Sequence, residues 1–283
     1  MTSSLIDVSV ESPHMRLLFL GDIVGSPGLS LVRRAVPLVR ASEKLDLVIV
    51  NAENTANGAG ITPGQYRQLR SSGVDAITLG DHIYKKFDIA DILAAPLEPI
   101  VKPANFPFVA PGKDHCIVSA QNQSRVAVIS LLGRTFMKPV DCPFSAADRV
   151  LASLPPDAKI IVVDIHAEAT ADKYLMAHYL NGRVTAVLGT HTHVPTADEQ
   201  LLSGGTAFHC DVGMCGAYDG ILGRRTDRVL PTVISFTPHP FDVATGDVRL
   251  AGAIVDVDET TGKAKAIRRV MWREAEFPTE EGR

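Results

Sequence analysis

His191 and His193 stand one residue apart in the segment GTHTHVPTAD, directly after the apolar run VTAVLG, where two imidazoles have the placement of a metal-ligand pair. Four other acidic or imidazole side chains follow short apolar runs in the same way. Asp22 comes after RLLFLG, Glu53 after DLVIVNA, Asp81 after DAITLG and His166 after KIIVVDI. Carboxylates and neutral imidazoles are donors for Mn, Fe or Zn, and one carboxylate can bridge two ions through its two oxygens. Glu53 is the bridge candidate. Two cations about 3.5–4 Å apart generate a hydroxide and stabilise the attacking and leaving oxygens of an in-line displacement at phosphorus.

These side chains can meet only if the elements before them are strands of one architecture. The pattern predicts strand 16–21, helix 28–42, strand 46–51, helix 63–72, strand 75–79 and helix 87–94, a βαβα order that favours a largely parallel sheet under helices. The runs CIVSA and RVAVISLLG suggest a hairpin around Gln121–Ser124. Helix 145–153, strand 159–165, helix 171–181 and strand 184–189 follow, then β-rich segments at 206–210, 231–236, 247–255 and 264–271 that read as antiparallel. Open α/β sheets bind ligands beyond the carboxyl ends of their strands, where all five ligand-bearing loops fall. The expected architecture is a mixed β sandwich flanked by helices. Residues 1–14 are expected to form a flexible N-terminal extension and 15–283 a single domain.

Composition sets the remaining bounds. The chain has 283 residues, 46% of them hydrophobic, enough for a large core, and no Ser-, Gly- or Pro-rich linker divides the candidate ligands. A formal charge of −4 gives no broad basic footprint for a nucleic-acid polymer or an acidic membrane, while leaving a small anion as a partner. Cys116, Cys142, Cys210 and Cys215 form no CxxC pair, and the start MTSSLIDVSVESPHM lacks a signal-peptide pattern. A soluble cytoplasmic protein with reduced thiols is expected.

The motifs GDIVGSPG, NAENTANGAGIT, LGDHIY, DIHAEATADK, LGTHTHVPTAD and HCDVGMCGAYDGILG, in this order over about 16–223, resemble the YmdB-like bacterial branch of the calcineurin-like metallophosphoesterases. The resemblance implies a four-layer sandwich of two mixed β-sheets flanked by helices. It implies two divalent or mixed-valence metal ions, Fe or Mn, with Asp22, Glu53, Asn54 and His193 around one and Glu53, Asp81, His166 and His191 around the other. His82 would protonate the leaving oxygen after attack by a metal-bridging hydroxide. The implied substrates are phosphodiesters, 2′,3′-cyclic nucleotides foremost, and a homodimer or homotetramer is expected. Asp22-Ile23-Val24 replaces the DxH of general phosphoesterases, as in this branch. Asp81 departs from the branch's usual Asn.

Other readings of the same residues compete. A lone histidine after a strand is more often structural, and Asp22 or Glu53 could cap a helix. Asn54 suits loop hydrogen bonds, and Asp81 could orient His82 instead of coordinating. Arg224, Arg225 and Arg228, with Tyr218 and Asp219, are weaker pocket candidates, and Thr170 reads as a helix cap. At the level of function, a metal-binding regulatory protein with little turnover is the alternative. An amidohydrolase is a third reading, although its HxH pair would come early, after the first barrel strand.

Overall fold

The computed structural model describes residues 14–278. The first half contains strands β1 (His14–Leu20), β2 (Asp22–Ile23), β3 (Leu47–Asn51), β4 (Ala76–Thr78) and β5 (Ile100–Val101). Between them lie helices α1 (Gly25–Glu43), α2 (Pro63–Ser71) and α3 (Ala90–Ala94). The middle of the chain supplies β6 (His115–Ser119), β7 (Arg125–Leu132), α4 (Pro143–Ser153), β8 (Ile160–His166), α5 (Thr170–Leu180) and β9 (Ala186–Thr190). It closes with β10 (Gln200–Leu201), β11 (Ala207–His209), β12 (Met214–Asp219), α6 (Thr226–Ser235), β13 (Gly246–Asp258) and β14 (Ala264–Arg273).

These strands form two mixed sheets. The first runs β2-β12-β13-β1-β3-β4-β5 with β14 on the free edge of β13, and the second runs β10-β11-β9-β8-β7-β6. Period-two side-chain alternation separates three cores. Leu18, Leu20, Val48 and Val50 face α1 and α2, while Met15, Leu17, Phe19, Leu47 and Ile49 face the second sheet. Ile161, Val163, Ile165 and Val187 pack on the far side with Val150 of α4 and Met176 of α5. Three cores require four layers, so the expected helix–sheet–sheet–helix sandwich is the one observed. No closed barrel is present among the described residues, which removes the scaffold on which the amidohydrolase reading depended.

Within each sheet the strands that matter are parallel: β1, β3, β4 and β5 in one, β7, β8, β9 and β11 in the other. Their carboxyl ends therefore share a direction within each sheet. The predicted hairpin joins β6 to β7, with Gln123 in the left-handed region at its tip. Three expectations fail locally. The 206–210 run, read as antiparallel, forms β11, which runs parallel to β9 and antiparallel only to the short β10. Residues 231–236 form no strand, because most belong to α6. Their β-branched run lies beyond any ladder partner, whereas a helix satisfies its own backbone, begun here with Asp227 in the first turn. His14, assigned to the extension, begins β1 opposite Asp258, and the rest of that extension lies outside the described residues.

Candidate metal centre

Each candidate ligand emerges where a strand ends. Asp22 follows β1, Glu53 and Asn54 follow β3, Asp81 and His82 follow β4, His166 closes β8, and His191 and His193 follow β9. Glycines let the segments close on one another. A Cβ on Gly21 would lie 1.9 Å from the Gly213 carbonyl oxygen, at the point where β12 enters between β2 and β13. On Gly80 it would lie 2.2 Å from the His166 ring and 2.5 Å from Glu53 Oε2, so a larger residue would force these groups apart.

Donor atoms of Glu53, Asp81, His166 and His191 lie within 4.8 Å of one another. His166 Nε2 is 3.1 Å from Glu53 Oε1 and 3.4 Å from Asp81 Oδ1, and His191 Nδ1 is 3.0 Å from His166 Nε2. Asp22, Asn54 and His193 adjoin this group. His193 Nε2 is 3.8 Å from Asp22 Oδ1 and 3.2 Å from Asn54 Nδ2, which also lies 3.2 Å from Glu53 Oε1. All the candidate residues thus come to one place.

The outer nitrogen of each clustered histidine is held. Thr190 Oγ1 donates to Asp164 Oδ1 at 2.6 Å, so its 2.8 Å contact with His166 must be a bond donated by His166 Nδ1–H. Asp164 also accepts from Thr78 Oγ1 and Asn51 Nδ2. His191 Nε2 is 3.2 Å from Glu168 Oε2, and His193 Nδ1–H donates to the Leu222 carbonyl at 3.1 Å. The opposite nitrogens face inward toward carboxylates, the arrangement that orients imidazoles on a metal. Asp81 Oδ1 is buried without a hydrogen-bond partner. Inward lone pairs repel inward carboxylates unless a cation or proton lies between them, so the donor set fits a metal.

Electrostatics carries the same signature. Burial alone would raise the Glu53 carboxyl, yet His166 and His82 hold it well below the usual carboxylate range. Burial would lower His166, but Glu53 and Asp81 raise it well above an ordinary histidine. Burial pushes the Asp164 carboxyl up to about 6 despite its hydrogen bonds. The Glu53 carboxylate raises His82, whose side chain remains about a third exposed.

His82 Nδ1 lies 2.7 Å from Asn54 Oδ1, and its backbone N–H donates to Glu53 Oε2. The Asn54 oxygen therefore serves His82 while its nitrogen faces the cluster. Coordination through that oxygen requires the amide to turn by 180°, which places Asn54 Nδ2–H against His82 Nδ1 and leaves the His82 proton on Nε2.

His191 and His193 both have left-handed backbones, with φ of 94° and 64°, a conformation costing an ordinary residue about 1–3 kcal/mol. Thr192 between them is anchored. Its N–H and hydroxyl donate to Asp211 Oδ2 at 3.1 and 2.5 Å, and Gly213 N–H donates to Asp211 Oδ1. Asp211 is in turn paired with Lys173 Nζ at 2.7 Å, both side chains being buried. This ion pair ties α5 to the loop that carries the two histidines.

Thr78, Asn51, Asp164, Thr190, Glu168, Lys173 and Asp211 were not candidates in the sequence. The first four had a signal, because each is a polar residue in an otherwise apolar buried strand. Thr170 does not cap α5: Ala169 occupies the cap position, and Asp172 instead accepts from Arg134 and Thr135 N–H. Arg224 lines the cleft beside the cluster, but Arg225 and Arg228 pair with Asp227 and Asp242. Tyr218 donates to the Met214 carbonyl, and Asp219 lines a separate depression.

The model of the YmdB-like protein family matches residues 18–270. A Bacillus subtilis (strain 168) protein named 2′,3′-cyclic-nucleotide 2′-phosphodiesterase is 44% identical over 257 residues, covering 91% of this chain and 97% of the relative. A crystal structure of a hypothetical protein from Thermus thermophilus superposes with a TM-score of 0.86 at 39% identity, covering 93% of this chain and 100% of that one. That of a novel phosphatase from Mycoplasma pneumoniae gives 0.85 at 29% identity, with 93% and 94% coverage. Matching motifs, fold and near-complete coverage agree: the chain belongs to the YmdB-like protein family.

Proposed function

We propose that this protein is a metal-dependent phosphodiesterase acting on 2′,3′-cyclic nucleotides, the substrate class named for its Bacillus subtilis relative. The observation that carries the reading is the set of three histidines whose outer nitrogens are held and whose inner nitrogens face buried carboxylates. Asp22, Glu53, Asn54 and His193 would hold one ion, and Glu53, Asp81, His166 and His191 the other. Fe or Mn suits this oxygen- and imidazole-rich set. Such a pair supplies positive charge that activates water and neutralises phosphate oxygens.

The protein's own groups do the rest. Glu53 presents its carboxylate to both halves of the site, and Asp164, Thr190 and Glu168 orient the imidazoles. His82 lines the cleft, and with the Asn54 oxygen turned toward the metal site its proton sits on Nε2, as suits the donor of a proton to a departing alkoxide. His82 protonates that oxygen.

All four cysteines are free thiols, which fits a reducing cytoplasmic setting, and among the described residues no helix is long and apolar enough to cross a membrane. We take a homodimer or homotetramer as the working assembly. The functional test is hydrolysis of 2′,3′-cAMP by chelator-treated protein before and after addition of Mn or Fe. Metal-restored turnover supports the reading, whereas turnover of other phosphodiesters alone would reassign the substrate.

A further inference from the structure

Ile221 to Arg224 form a tight turn closed by two backbone hydrogen bonds, Ile221 N–H to the Arg224 carbonyl and Arg224 N–H to the Ile221 carbonyl. Its central residues, Leu222 and Gly223, have φ of 50° and 83°. Such turns take Asn, Asp or Gly at these positions with little strain. Gly223 has a packing reason, since a Cβ there would lie 2.8 Å from Val24 Cγ1. Leu222 has none of that kind. The residue is 50% exposed, so the fold gains little from burying it, and any residue could supply the carbonyl that His193 uses.

The Leu222 side chain faces a cleft of about 380 Å³. Glu53, Asn54, His82, Glu168, His191 and His193 line it together with the apolar residues Ile221, Leu222, Val229 and Phe241, Leu222 adjoining His193 through its carbonyl. Arg224 fixes this turn to the loop after β3 by donating to the carbonyls of Asn57, Gly58 and Phe241. A site with both charged and apolar lining matches a nucleotide, whose phosphate and base differ in the same way.

We propose that Leu222 is a specificity residue: its exposed side chain, carried on a left-handed backbone at the cleft, is a platform for the substrate's nucleobase. The inference rests on the nucleotide chemistry proposed for the site. It makes the apolar lining responsible for preferring nucleotides over phosphate groups that carry no base.

Binding reads this without turnover. Metal-loaded wild type, Leu222→Asn and Leu222→Gly would be titrated calorimetrically with adenosine 3′-monophosphate and, separately, with inorganic phosphate. Both replacements tolerate the left-handed backbone and keep the carbonyl that receives His193. The expected result is unchanged metal content, a melting temperature no lower than wild type, unchanged phosphate affinity and nucleotide affinity weakened roughly 5–20-fold, the scale of a partly buried Leu contact. Nucleotide affinity within twofold of wild type in both variants would overturn the proposal. So would a parallel loss of phosphate affinity, or a wild type that binds the nucleotide no better than phosphate. A protein that binds the nucleotide in this way yet fails to hydrolyse 2′,3′-cAMP would sink the functional reading and leave the platform in place.

Discussion

Replacing Lys173 by Met removes the charge that pairs with Asp211 beneath the His191–His193 loop. The Asp211 carboxylate is not left bare, because Thr192 N–H, the Thr192 hydroxyl and Gly213 N–H still donate to it. The loss should therefore be that of one charge-assisted hydrogen bond, about 2–3 kcal/mol, below the 3–5 kcal/mol typical of breaking a buried pair outright. For a chain of this size that lowers the melting temperature by roughly 3–5 °C. The second effect is specific to the site. With its anchor weakened, the loop can relax from the left-handed backbone of His191 and His193, and Mn affinity should fall about tenfold, the lower end for groups that orient ligands. Thermal melts of metal-free protein, with equilibrium dialysis against Mn, read the two effects separately. A lower melting temperature with Mn affinity within twofold of wild type would refute the coupling and leave Lys173 a stabiliser of the fold alone. Asp211→Asn should cost more, since Lys173 Nζ would retain as its charged-partner substitute only an amide oxygen and a 3.4 Å contact with Thr192.

Asp81→Asn removes one negative charge from the ligand set. Weaker metal binding and a lower share of oxidised iron are expected, read by elemental analysis and Mössbauer spectroscopy; unchanged content, redox state and rate would discard a special role for Asp81. Because Glu53 and Asp81 raise His166 well above its ordinary pKa against the effect of burial, the metal-free protein should hold it as the imidazolium at neutral pH. Coordination needs the neutral ring, so metal binding should release protons and strengthen as pH rises. Calorimetry in buffers of different ionisation enthalpy measures that release, and none at neutral pH would contradict the assignment.

The candidate ligands were legible because each lies just past a short apolar run; those runs are apolar on both faces, so which face meets which layer is visible only in the fold. Buried polar residues such as Asp164 and Thr190 were visible in the sequence, but their partners come from different strands and depend on tertiary contact. Lys173 carried no signal: a lysine near a helix start ordinarily reads as solvated, and only the fold brings it to Asp211. The 231–236 segment misled because β-branched residues favour strands only where a ladder partner exists. Leu222 is invisible as a functional residue until its backbone conformation and exposure are known.

Whether the site is a phosphodiesterase centre with His82 as its acid is read from the rate of 2′,3′-cAMP hydrolysis by wild type and His82→Ala, with metal content measured in the same samples. Two metals per chain are expected in both proteins, with turnover by wild type and a rate lower by about 10²–10⁴-fold in the variant. A wild type with two bound metals and no turnover would contradict the phosphodiesterase assignment, and loss of both metals from the variant would make His82 a ligand or structural residue rather than the proton donor.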